Sequence, residues 1–172
     1  MNPSDATSTA TTAPRTTPLL SSVTQSITAT ERRLAPLVAR LTLAVVIFPH
    51  GAQKAFGWFG GYGFGGTMTY FTETLGIPYI FGLMAILAEL LGPLLLAAGF
   101  LTRVAAFGIG VTMTVAMGMV HLPHGFFMNW FGNQAGEGIE FFLLAIGLSV
   151  ALCLSGGGAW SLDRLQASST HE

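Results

Sequence analysis

Four ionisable residues, Arg40, His50, Lys54 and Glu89, stand inside or at the ends of two apolar stretches of this 172-residue chain. An ionisable group within a bilayer costs about 2.5–3.5 kcal/mol on insertion scales and usually faces a partner or a cavity. Histidine and lysine can donate hydrogen bonds to a developing oxyanion, and a glutamate can hold or relay a proton. On a helix that starts at Leu34, Arg40 falls about 9 Å along the axis, His50 about 24 Å and Lys54 about 30 Å. Arg40 and Lys54 differ by only about 40° around that helix, and His50 and Lys54 form an i, i+4 pair. The helix therefore carries one polar stripe. Glu89 lies about 18 Å into the next apolar stretch, which on an antiparallel neighbour sets it between Arg40 and His50 in depth. At least one charge-assisted hydrogen bond to it is expected. An Arg40–Glu89 pair could equally be a device that fixes helix register. His50, Lys54 and Glu140 together exceed what one such pair needs, and they point to a small-molecule site near one membrane surface. Pro49 loosens the helix beside His50 and frees backbone carbonyls. Gly92 and Pro93 mark a kink close to Glu89.

Two connecting segments add candidates. From Gly57 to Gly66 every residue is glycine or aromatic, giving a flexible loop whose rings, Trp58 among them, suit the headgroup interface or a lid over a planar apolar ligand. Its G-x-G-x-x-G spacing follows no strand and lies in no βαβ unit, so a nucleotide site is rejected. The second segment, His121 to Gly138, holds an H-x-x-H at His121 and His124 and leads into an E-x-x-E at Glu137 and Glu140. These resemble a metal-ligand set, but Pro123 interrupts the histidine pair and no metal is assigned. Haem ligation by His50 and His121 has no further sign in its favour. Met113, Met117 and Met119 read as gap-fillers in a core. The single cysteine, Cys153, excludes an intramolecular disulfide or a multi-cysteine redox centre.

The elements that must carry these residues follow from composition. Only 9% of the chain is charged and 51% is hydrophobic, with a mean hydropathy of +0.62, against about a quarter charged in a soluble domain. A net charge of −1 leaves no basic stripe for nucleic acid. Apolar stretches near residues 34–56, 77–101, 104–122 and 139–155 predict an all-α membrane protein, a four-transmembrane-helix bundle running up-down-up-down. Arg15, Arg32, Arg33, Arg40, Arg103 and Arg164 then fall on one side and Lys54 on the other, so both termini are expected to be cytoplasmic. Residues 1–30, rich in Ser, Thr, Ala and Pro, read as a disordered tail. Residues 31–165 form the helical domain and 166–172 a short tail.

In order along the chain, Arg40, the H-G-x-x-K of His50, Gly51 and Lys54, the run AELLGPLLLAAGFLTR (88–103), GIEFF (138–142) and GGGAWSLD (156–163) resemble the DoxX family of small four-helix membrane proteins. That resemblance covers roughly residues 34–165 and places the family's recurrent polar positions on Arg40, His50, Lys54, Glu89, Glu140 and Asp163. It implies the bacterial cytoplasmic (inner) membrane, and an association with quinone-linked oxidoreductase systems and soluble redox partners. From both lines, His50, Lys54, Glu89 and Glu140 are the catalytic candidates, and Arg40, His50, Lys54 and Trp58 the candidates for holding a quinone. A redox partner protein would supply electrons, and a homodimer is possible in outline. A non-catalytic scaffold and a small-metabolite carrier are the competing readings.

Overall fold

The computed structural model describes residues 34–169, and the expected N-terminal tail, with Arg15, Arg32 and Arg33, lies outside them. Among the described residues all regular structure is helical. Helix α1 spans Leu34–Phe56. A 3-10 turn at Trp58–Gly60 leads to α2, Gly63–Thr69, which continues as a π-helical turn through Thr74. Helix α3 spans Tyr79–Ala98 and α4 spans Thr102–Ala116, prolonged by π and 3-10 turns to His124. Helix α5 is Glu140–Ser155 and α6 is Leu162–Ser169.

Three of these segments, Leu34–Phe56, Tyr79–Ala98 and Thr102–His124, are long and apolar enough to cross a membrane, and α5 is apolar but only 16 residues long. The four long helices close into a ring in which α1 packs on α3, α3 on α4, α4 on α5, and α5 back on α1. Neighbours run antiparallel: Gly51 meets Glu89 while Arg40 reaches Leu96, and Gly110 meets Ser149 while Arg103 reaches Leu154. The interior is small and tight, with Ile47, Leu96, Ala106, Ile109 and Leu152 almost fully buried. Large apolar side chains such as Val45, Phe107, Leu144 and Leu154 point outward. Outward-facing apolar side chains suit a protein whose solvent is lipid.

Element ends differ from expectation for local reasons. Helix α3 stops at Ala98, three residues early, because Gly99 turns left-handed at φ 65°. The Gly- and aromatic-rich segment, expected as a flexible loop, forms a 3-10 turn at Trp58–Gly60, and its last four residues open α2, which buries Thr67 and Met68. The tail expected from residue 166 is helical to Ser169 as part of α6.

Asp163, at the start of α6, ties the other end together. Its carboxylate accepts from the Leu101 and Thr102 amides at 2.7 and 2.9 Å, supplying the first donors of α4 with acceptors that the helix lacks. Burial alone would raise its pKa. Bonds from Thr102 and from the Leu101 amide, with the nearby charge of Arg40, hold it below the usual carboxylate value instead. A depressed folded-state pKa stabilises above the unfolded value, near 4, and the contribution disappears as pH falls through the folded one. Asp163→Ala should therefore cost about 0.5–2 kcal/mol at neutral pH. The gap from wild type should close on acidification below about pH 4, as read by thermal melts in detergent.

Candidate functional site

Helix α1 can approach α3 closely because of one glycine. A Cβ on Gly51 would overlap the backbone carbonyl of Glu89. With no side chain at Gly51, the two backbones touch, and Lys54, one turn on, reaches across to the Glu89 carboxylate. The Lys54 Nζ lies 2.5 Å from Glu89 Oε2. Glu89 is 2% exposed and Lys54 27%, so the cation stands between a buried anion and the surface of the bundle. The H-G-x-x-K pattern thus combines a close-approach glycine with a lysine at the right rise. Gly51→Ala should cost about 1–3 kcal/mol, the usual penalty for overpacking, because backbone lies on both sides. It should also separate Lys54 from Glu89, which unfolding in a denaturing detergent titration would register.

Lys54 also lines a cavity of about 270 Å³ beneath the Gly60–Tyr62 turn, with Gln53, Thr67, Tyr70 and Phe71 completing its walls. Aromatic rings, two amphipathic phenols and a few convergent donors are the usual furnishing of a small-molecule site. His50 lies one turn before Lys54 but points elsewhere. Its ring is exposed and rests on Phe141 of α5, with centroids 5.7 Å apart.

The other expected members are not gathered here. Arg40 stands 14 residues from Lys54 on the same helix, about 21 Å away. It is 2% exposed, and its donors are all engaged: Nε to Gly157, Nη1 to Leu96 and Ala97, and Nη2 to Ala159 and Trp160, at 2.6–3.2 Å. A guanidinium has five N–H groups, and five carbonyls take them. The Arg40–Glu89 pair weighed from the sequence does not form, and Glu89 pairs with Lys54 instead. Glu89 sits level with Gly51, nearer that end of α1 than the rise from residue 77 implied.

Glu140 belongs to a different cluster. Its Oε1 accepts from the Met128 amide at 2.8 Å and from Trp130 Nε1 at 3.0 Å. Glu137 accepts from the Asn129 amide at 2.7 Å, and its carbonyl meets His121 Nδ1 at 2.9 Å. Asn129 closes the loop on Gln134 through both ends of its amide. These bonds fold the 125–138 segment without a helix. Trp58, expected beside a bound ring, is 53% exposed and packs on Phe56 and Phe59. Among the described residues, no three His, Cys, Asp or Glu side chains converge as a metal site would need.

Sequence reasoning passed over Gln53, Thr67, Tyr70 and Phe71. The available signal was Met68 and Phe71 at i, i+3 beyond the glycines, a helical spacing hidden by the low helix propensity of that segment.

Comparison with known proteins fits this architecture. The DoxX family model matches residues 35–122, half of the chain and the whole α1–α4 unit. The chain belongs to the DoxX family. It is also 30% identical over 135 residues to the inner membrane protein YqjF of Escherichia coli (strain K12), covering 75% of this chain and 89% of that protein. No solved structure matches. This DoxX protein is thus a membrane protein whose family match contains Arg40, His50, Lys54 and Glu89.

Proposed function

We propose that this DoxX protein is an integral subunit of a membrane redox system that holds a quinone or similar lipophilic carbonyl compound in the cavity beside Lys54. The observation that carries this reading is Lys54, paired with the buried Glu89 and lining an aromatic-walled cavity. The residues present fit such a group. Tyr62, Tyr70 and Phe71 offer faces to a planar ring, while Lys54, Gln53 and Thr67 offer donors to its oxygens. A bound quinone would supply the electron-accepting chemistry that no side chain here provides.

The chain's own part is binding and proton handling. Lys54 donates to a carbonyl oxygen and keeps its charge balanced by Glu89. Glu89 holds a proton acceptor out of bulk water beside that donor. His50, on the adjacent turn, exchanges protons with the surface. Glu140 acts only by fixing the neighbouring loop. Electrons come from a redox partner protein. In the same reading α5 is the fourth span, made up to full length by its flanking turns. Arg40, Arg103 and Arg164 mark the cytoplasmic side of a bacterial inner membrane, with both termini there.

One observation favours the scaffold alternative: Arg40 demonstrates that a buried charge in this fold can serve packing alone. A binding titration separates the two readings. With decyl-ubiquinone as the probe and tryptophan fluorescence as the signal, Glu89→Gln should weaken binding by about tenfold or more, as expected for loss of a charge-assisted hydrogen bond that holds Lys54, whereas His50→Gln, outside the cavity, should leave affinity near that of wild type. Equal affinity in wild type and Glu89→Gln would overturn the assignment.

A further inference from the structure

Among the described residues two buried hydroxyls have no hydrogen-bond partner, Thr102 Oγ1 at the first residue of α4 and Ser149 Oγ within α5. Thr72, Thr112, Thr114 and Ser155 each donate to the carbonyl four residues back, the ordinary solution for a hydroxyl in an apolar helix. Ser149, on α5, does not. It is 1% exposed, and its Oγ has no hydrogen-bond partner. Such an orphan normally costs about 1–3 kcal/mol and has a reason.

Ser149 lines a cleft of about 280 Å³ between α4 and α5, with Gly110, Thr114, Ile146, Val150 and Cys153 among its walls. Gly110 makes the room: a Cβ there would stand 3.0 Å from the Ser149 Cβ. The rim residues Phe107, Val111, Val115 and Val150 are all exposed, so the cleft opens on the face of the bundle that lipid would cover. Thr114 bonds its own helix and Cys153 Sγ contacts the Arg103 carbonyl at 3.5 Å. Among the polar side chains that line the cleft, Ser149 is the one without a partner.

Depth narrows the class of ligand. Ser149 is nine residues into α5, about 14 Å from one end of the helix and about 9 Å from the other. Phospholipid ester oxygens lie at the edges of a hydrocarbon core about 30 Å thick, away from this level. An oxygen that meets Ser149 must belong to a molecule dissolved in the membrane interior. We propose that the α4–α5 cleft is a second ligand site, taking a lipophile that carries a carbonyl oxygen and accepting its hydrocarbon along the apolar walls, with Ser149 as the donor. The site is independent of the Lys54 cavity, which faces α2.

A decyl-substituted benzophenone tests this directly, because its carbonyl is also its photoreactive atom. The full-length protein is reconstituted in phosphatidylethanolamine–phosphatidylglycerol vesicles, irradiated with the probe, and its adducts mapped by peptide mass spectrometry. Adducts are expected on Ile146, Val150 and Val111. A long-chain methyl ketone should suppress them and an alkane of equal length should not. Ser149→Ala should lower their yield about fivefold, the worth of one hydrogen bond, with the helical circular dichroism unchanged. Adducts spread evenly over the lipid-facing surface, equal competition by the alkane, or an unchanged yield in Ser149→Ala would each overturn the proposal. Adducts on Tyr62, Tyr70 or Phe71 report on the Lys54 cavity and bear on that reading alone.

Discussion

Lys54→Met is expected to destabilise the protein by about 3–5 kcal/mol, the penalty for removing one partner of a buried ion pair. The reason is Glu89: at 2% exposure its carboxylate would lose the cation that offsets its desolvation. The double variant Lys54→Met with Glu89→Leu should recover most of that loss, because apolar replacement of both partners is often neutral or better. Denaturing-detergent titrations of the two single variants and the double variant form a mutant cycle that isolates the coupling. If the double variant is no more stable than Lys54→Met, the pair is not coupled as its geometry implies. The same cycle separates folding from function. A folded double variant that no longer binds decyl-ubiquinone would mean that the pair is retained for its chemistry, since the bundle does not require it.

Arg40→Met should have the larger effect on folding. It removes the donor of the Ala97, Gly157, Ala159 and Trp160 carbonyls, while Leu96 keeps the Gly99 amide. Each buried orphan costs about 1–3 kcal/mol, in sum a large part of the typical margin of a domain of this size. Little folded protein is therefore expected in membranes. Arg40→Lys should fold less stably than wild type, because an ammonium has three donors and no planar fork. Its affinity for decyl-ubiquinone should match wild type wherever it is folded, since Arg40 stands about 21 Å from Lys54 along α1. A selective loss of binding in Arg40→Lys at unchanged stability would return Arg40 to the ligand site.

What could be read from the sequence, and what could not, divides along physical lines. The end of α1 at Phe56 was legible because hydropathy and length decide it. That Glu89 needs a charged partner was also legible, because a lone carboxylate at that depth is too costly. Which partner it takes was not. That choice depends on the backbone approach that Gly51 permits. Arg40 looked like a candidate ligand because carbonyl acceptors carry no signature in sequence. Its five acceptors come from two segments more than 50 positions away. Glu140 was grouped with His50 and Lys54 by depth alone, whereas the loop it holds, from Met128 to Trp130, precedes it in sequence and folds back on it. Helix α2 was hidden by its glycines. Each glycine costs about 1 kcal/mol of helix propensity relative to alanine, and the packing of Met68 against Gly82 of α3 offsets that cost.

Asp163 is an instructive intermediate case. The resemblance to the family placed weight on it, and its type suits a helix cap. Nothing in the local sequence says that the helix it caps is α4, some 60 positions earlier. The left-handed turn at Leu101, φ 49°, turns the first amides of α4 toward it.

The central claim is that the cavity beside Lys54 and Glu89 holds a lipophilic carbonyl compound. Organic extraction of the purified, detergent-solubilised protein, followed by liquid chromatography and mass spectrometry, tests it most directly. A quinone or related carbonyl lipid is expected at near-stoichiometric yield from wild type and absent from the Lys54→Met, Glu89→Leu double variant. Extracts holding only bulk phospholipid, the same from wild type and from the double variant, would contradict it.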